Sequence, residues 1–140
     1  AEVIKPISDV AAIKAGLTEV YMGKTVPKGS CNIDTINAYA DQIEALYKKN
    51  PNKFTLAGQI ATIYAELTVI AESQDDAAVS ELAKGVKAGV EVLIVEHLQE
   101  KGLPASNKAE LVAAWEQNVA RKVNAIKDVS GCDIVLEKAK

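Results

Sequence analysis

His97 is the only histidine in the chain, and that sets the limit on the chemistry available to it. A histidine acting as general base needs a nucleophile to deprotonate and a carboxylate to orient its ring. Glu96 and Glu100 are close by in sequence, but no Gly-x-Ser-x-Gly or Cys-Gly-x-Cys pattern supplies the nucleophile. Metal-binding helix signatures such as His-Glu-x-x-His, or the Glu-x-x-His of di-iron bundles, are also missing. His97 is therefore expected as a half-buried side chain near a helix C-terminus, in a chain that takes no metal and no cofactor and is not an enzyme.

Other residues of chemical interest have plainer readings. Glu66 is the only charge between Phe54 and Ala71. A carboxylate buried there with a raised pKa could be an acid catalyst, but its spacing from Gln59 and Thr62 predicts one exposed strip on that helix. Asp75 and Asp76 read as capping residues at a helix start. Gly85 and Gly89 lie within a helical pattern, and Lys24-Thr25 lacks the preceding glycines of a phosphate loop. Tyr39 and Tyr64 fall at the edges of apolar stripes, where tyrosines keep a wet hydroxyl.

Cys31 and Cys132 form an even pair, one in a Gly/Pro/Ser loop and one in a Ser-Gly-Cys-Asp turn. Two thiols and one histidine are a poor basis for a tetrahedral zinc site. A bridge is the preferred reading, the alternative being two unrelated buried thiols; closing so long a loop contributes about 4–5 kcal/mol in the chain-entropy model. It would imply a periplasmic or extracellular location. The start Ala1-Glu2-Val3 fits a mature product after signal-peptide cleavage and fits a trimmed chain equally well.

The composition narrows the partners. The 140 residues carry 16 Lys+Arg against 19 Asp+Glu, a net charge of -3, with no basic stripe for phosphate contacts, so nucleic acid is not expected. Apolar residues make up 49% and aromatics only 4%, which favours helices packed through Ala, Val, Ile and Leu. The stretch 54–71 contains Gln59, Glu66 and several threonines; it reads as a core helix rather than a membrane span.

Helical periodicity then places these residues. Ser8 reads as the N-cap of a first helix with Val10, Ile13, Leu17 and Val20 on its inner face, stopped by Gly23. Asn32 or Asp34 starts a second, through Ile36, Tyr39, Ile43 and Leu46, which Asn50-Pro51-Asn52 ends. The third has Leu56, Ile60, Ile63, Leu67 and Ile70, with Ala57, Ala61 and Ala65 on its flank; apolar nearly all round, it should be central. A fourth of about 26 residues runs to Gly102, its Gly85 and Gly89 permitting close approach of a neighbouring helix. Ser106 or Asn107 caps the fifth, with Asn107 and Glu110 at capping-box spacing and a stripe of Val112, Trp115, Val119, Val123 and Ile126. Residues 132–136 are an extended tail or a last helical turn.

The segment from Val86 through Trp115 to Ile126 resembles the closing helix pair of a globin, but residues 75–85 hold no histidine for haem in the globin manner. The layout from Tyr21 to Glu66 resembles the small periplasmic immunity proteins that neutralise amidase toxins of type VI secretion. It departs from them in that the partner of Cys31 would be Cys132, two helices later.

Residues 1–140 are thus expected to form one all-α domain, a bundle of about five helices with short loops and a short C-terminal tail. The expected function is an exported, non-enzymatic protein-binding module such as an inhibitor, immunity protein or adaptor, using Lys24, Val26 and Lys28 of the loop 24–30. The alternative is a carrier of a small apolar ligand or haem in a cavity between helices, anchored by His97, Tyr64 or Met22.

Overall fold

In the computed structural model, residues 6–21, 33–74 and 77–128 are described. They form five helices: α1 (Val10–Tyr21), α2 (Ile33–Lys49), α3 (Lys53–Gln74), α4 (Ala77–Lys101) and α5 (Asn107–Asp128), with no strand among the described residues. The all-α bundle expected from periodicity is the observed fold.

Local chemistry explains where the helices start and stop. The Asp9 carboxylate accepts the Ala11 N–H at 2.9 Å, so the cap of α1 is Asp9 and not Ser8, one residue later than its spacing suggested. Asn52, in the break after α2, also caps α3 by accepting the Thr55 N–H at 2.9 Å. At the end of α4, Gly102 takes the left-handed conformation (φ 66°), and the Leu103 N–H reaches back to the Leu98 carbonyl at 2.9 Å. α5 begins through backbone turns, Asn107 N–H to Pro104 and Lys108 N–H to Ala105, both at 3.1 Å, instead of the Asn107–Glu110 capping box.

α3 and α4 are the most extensively packed pair. α5 lies against both, α2 against α3, and α1 against α2 and α4. The core is aliphatic: Ile13 and Leu17 from α1, Ile36 and Ile43 from α2, Ile60, Ile63 and Leu67 from α3, and Val86, Val90 and Ile94 from α4 are all essentially inaccessible. α3 is long and apolar enough to cross a membrane by length and composition, yet 61% of that window is buried within the bundle. The close approach expected of a neighbouring helix at Gly85 and Gly89 is made instead by the segment ahead of α1, and Gly89 is the glycine that it requires. The Ile7 N–H donates to the Gly85 carbonyl at 2.9 Å, and a Cβ on Gly89 would stand 1.9 Å from the Ile7 carbonyl oxygen.

Pairs between helices fix their directions. Lys14 meets Asp41 across α1 and α2. Lys53 joins α3 to Glu96 at 3.0 Å and Glu100 at 2.7 Å on α4. Lys87–Glu116 (3.4 Å) and Lys108–Glu91 (3.8 Å) join α4 to α5. Between α4 and α5 rising numbers meet falling ones, as in antiparallel neighbours; Lys53 sets the start of α3 beside the end of α4, and the start of α1 lies beside Glu44 and Tyr47 near the end of α2. The end of α1, the start of α2 and the end of α5 therefore share one end of the bundle.

Candidate functional site

The site is built around Trp115, the only tryptophan. Its place on the inner stripe of α5 turns the indole toward α3, where its N–H donates to the Ala57 carbonyl at 2.8 Å. Its ring meets Tyr64 with centroids 5.1 Å apart at 52°. One turn back along α3, Phe54 remains 44% exposed and packs on His97 with centroids 5.0 Å apart at 32°. Between these aromatics is an open groove of about 320 Å³, lined by Phe54, Ala57, Gly58, Ile94, Leu111 and Trp115. Gly58 keeps it wide, since a Cβ there would have no atom within 4 Å.

Leu111, Ala114, Asn118 and Arg121 complete the α5 wall. Their spacing of three or four residues puts them on one helical face. An apolar groove with a guanidinium and an amide toward one end can hold an apolar group that carries a carboxylate. Its lining residues include no nucleophile and no general base.

A second, smaller pocket of about 270 Å³ lies at the start of α1, between Asp9, Glu44, Tyr47, Lys53, Leu56, Leu93 and Glu96. Its charged groups have local partners or tasks. Lys53 is held between Glu100 and Glu96, whose hydrogen bonds raise its pKa, and the Lys53 hydrogen bond in turn lowers that of Glu100. Asp9 caps α1, and Glu44 faces Lys48 at 4.0 Å.

Glu66 departs from expectation. The strip it shares with Gln59 and Thr62 is not exposed: Glu66 is 0% accessible, Thr62 2% and Gln59 8%. Periodicity puts the three on one face, but whether that face is wet depends on what packs over it. Neither Glu66 oxygen has a hydrogen-bond partner, nor do Gln59 Nε2 and Asn37 Oδ1 on α2. Burial pushes the Glu66 pKa up from 4.5 to about 8, so the side chain is largely neutral at pH 7. Neither pocket reaches it.

His97 and Tyr64 are not brought together. Each instead backs one aromatic wall of the groove, His97 behind Phe54 and Tyr64 behind Trp115. Met22, the loop residues Lys24, Val26 and Lys28, the two cysteines Cys31 and Cys132, and the C-terminal tail lie outside the described residues. Sequence reasoning missed Phe54, Asn118 and Arg121. Phe54 carried a usable signal, a large apolar residue in the first turn of a helix whose inner stripe begins only at Leu56. Among the described residues, no group of three or more His, Cys, Asp or Glu could hold a metal ion. No protein-family model matches the chain, and no curated protein or solved structure is significantly similar to it.

Proposed function

We propose that this chain is a non-enzymatic, exported helical module that binds another protein through the groove between α3, α4 and α5. The observation that carries the reading is the exposed Phe54 beside the Trp115 floor, with Arg121 at the rim. Aromatic and arginine side chains dominate binding hot spots. Small-molecule sites usually bury 70–90% of their ligand. An open groove closes that far only when a second surface covers it, and a partner protein supplies such a surface. The anchor that fits is an apolar side chain with a carboxylate about one helical turn away, placed to meet Arg121.

The test uses wild-type protein and the Phe54→Ala and Arg121→Glu variants as baits in a native extract, followed by titration of the captured protein against Trp115 fluorescence. Capture by wild type, loss in both variants and a spectral shift of Trp115 support the groove. A monomer that retains nothing, or variants that retain the same protein equally, overturn the reading. The apolar lining of the groove favours a second reading, a carrier of a small apolar ligand. That reading requires a bound mass in native mass spectrometry of the purified protein.

Export rests on a Cys31–Cys132 bridge. α1 and α5 both end, and α2 begins, at one end of the bundle, which supports the pairing. Alkylation without reductant should leave the mass unchanged. Two added alkyl groups would remove the bridge and the argument for an oxidising compartment with it.

A further inference from the structure

We infer that the α1–α2 hairpin is a detachable layer that opens away from α3, α4 and α5 as a unit, with the buried carboxylate of Glu66 setting how often it does so. Ala57 and Tyr64 mark the side of α3 that meets α5. Glu66 is nine residues beyond Ala57, about two and a half turns, and so falls on the opposite side. The helices packed on α3 are α4, α5 and α2. α2 and α3 are joined by the short break 50–52, and equal steps along both from that break bring Asn37 level with Glu66 and Ile43 level with Gln59, to about one residue.

The unpartnered atoms Asn37 Oδ1, Gln59 Nε2 and both Glu66 oxygens therefore all belong to the seam between α2 and α3. Unpaired polar atoms cut off from water oppose closure of the seam that buries them.

The side-chain bonds between helices are distributed accordingly. Trp115 ties α5 to α3, Lys53 ties α3 to α4, and Lys87 and Lys108 tie α4 to α5. Lys14–Asp41 joins α1 to α2, inside the hairpin. The described backbone bond from hairpin side to core is Ile7 N–H to Gly85, ahead of α1. α2 on α3 and α1 on α4 are each packed less extensively than α3 is on α4 or α5, and the buried side chains of the layer include Ile13, Leu17, Ile36 and Ile43.

The charged groups on the neighbouring elements are engaged elsewhere. On α2, Asp41 meets Lys14 and Glu44 meets Lys48, and Tyr39 has contacts of its own. On α4, Glu81 meets Lys84, Lys87 meets Glu116, and Glu91 meets Lys108. On α5, Arg121 borders the groove on the far side of α3, and Lys122 has its own contacts. Burial alone accounts for the raised pKa of Glu66. In the open layer water reaches this carboxylate and it ionises in its ordinary range. Opening is then linked to release of one proton and rises about tenfold per pH unit between roughly pH 5 and 8.

Native-state hydrogen exchange on the full chain from pH 5.5 to 7.5 tests this, with wild type, Glu66→Gln and Glu66→Leu. In wild type, α1 and α2 amides should share one protection level, below that of α4 and α5, with an opening constant rising about tenfold per pH unit after correction for intrinsic exchange. Both variants, which cannot ionise when the layer opens, should abolish that slope and raise α1–α2 protection at pH 7 on the order of 100-fold. Equal protection across all five helices would show that the hairpin does not open separately. A slope that persists in Glu66→Gln would remove Glu66 as the group that controls opening.

Discussion

Replacing Glu66 with glutamine should stabilise the protein at neutral pH, against the usual cost of changing a buried residue. The carboxylate is 0% accessible, has no hydrogen-bond partner, and has a pKa near 8 in place of 4.5. Because the folded pKa lies above the unfolded one, the folded state binds the proton more tightly. Stability is complete below pH 4.5, declines as pH rises, and reaches its floor above pH 8. At about 1.36 kcal/mol per pH unit, wild type loses about 1 kcal/mol by pH 5, about 3 by pH 7 and up to about 5 above pH 8. Glutamine has nothing to ionise, so Glu66→Gln should escape this loss.

For a chain of 140 residues, about 3 kcal/mol corresponds to a rise in Tm of about 12 °C at pH 7. Glu66→Leu should rise further, since it also removes the unpaired polar atoms from an aliphatic core. Thermal unfolding of the three proteins at pH 4.5, 6, 7 and 8 measures this. The difference between wild type and Glu66→Gln cancels the titration of the exposed carboxylates they share. It should be near zero at pH 4.5 and widen steadily toward pH 8. Equal Tm values at pH 7, or a gap that does not grow with pH, would refute the premise that Glu66 is sealed from water and unpaired.

Two glycines should respond in opposite ways to the same substitution. Gly89→Ala forces a methyl to within 1.9 Å of the Ile7 carbonyl, which is backbone, and so must displace the segment ahead of α1; a loss of about 2 kcal/mol or more in urea denaturation is expected. Gly58→Ala meets open space in a helix interior and should gain about 0.5–1 kcal/mol in the same assay, while narrowing the groove and weakening the proposed partner. Trp115→Phe removes the indole N–H that bonds Ala57 at 2.8 Å. The Ala57 carbonyl remains in the α3 ladder, so the loss should be about 1–2 kcal/mol, read from the urea midpoint at unchanged m-value.

How much of this was legible in the sequence depended on the distance over which each feature is determined. The stripes of α2 and α5 repeat every three or four residues, and the third helix could be set at the centre because it is apolar nearly all round. Those are local properties, and the structure agrees with them. The cap of α1 was local too, but Ser8 and Asp9 are both capping types, and only the register of the first turn selects between them. The Gln59–Thr62–Glu66 face was read correctly as one face and wrongly as exposed. Its burial is decided by what other helices place over it, a fact of tertiary packing. The groove was invisible for the same reason, being assembled from Phe54, Ile94 and Trp115 on three different helices.

α3 joins these properties through the two sides it presents. Toward α5 it offers Ala57, Ala61 and Tyr64, and two small side chains let α5 come close enough for Trp115 to reach the Ala57 carbonyl. On the inferred α2 side it offers the buried Gln59, Thr62 and Glu66, where Gln59 Nε2 and both Glu66 oxygens find no partner. The side with small residues is stitched by a hydrogen bond and borders the groove, whereas the polar side is the weak seam. The proposed recognition surface thus rests on the α5 side of α3, and the layer inferred to open rests on the other. On that division, the carboxylate whose removal should strengthen the fold is the group that lets the inferred layer open.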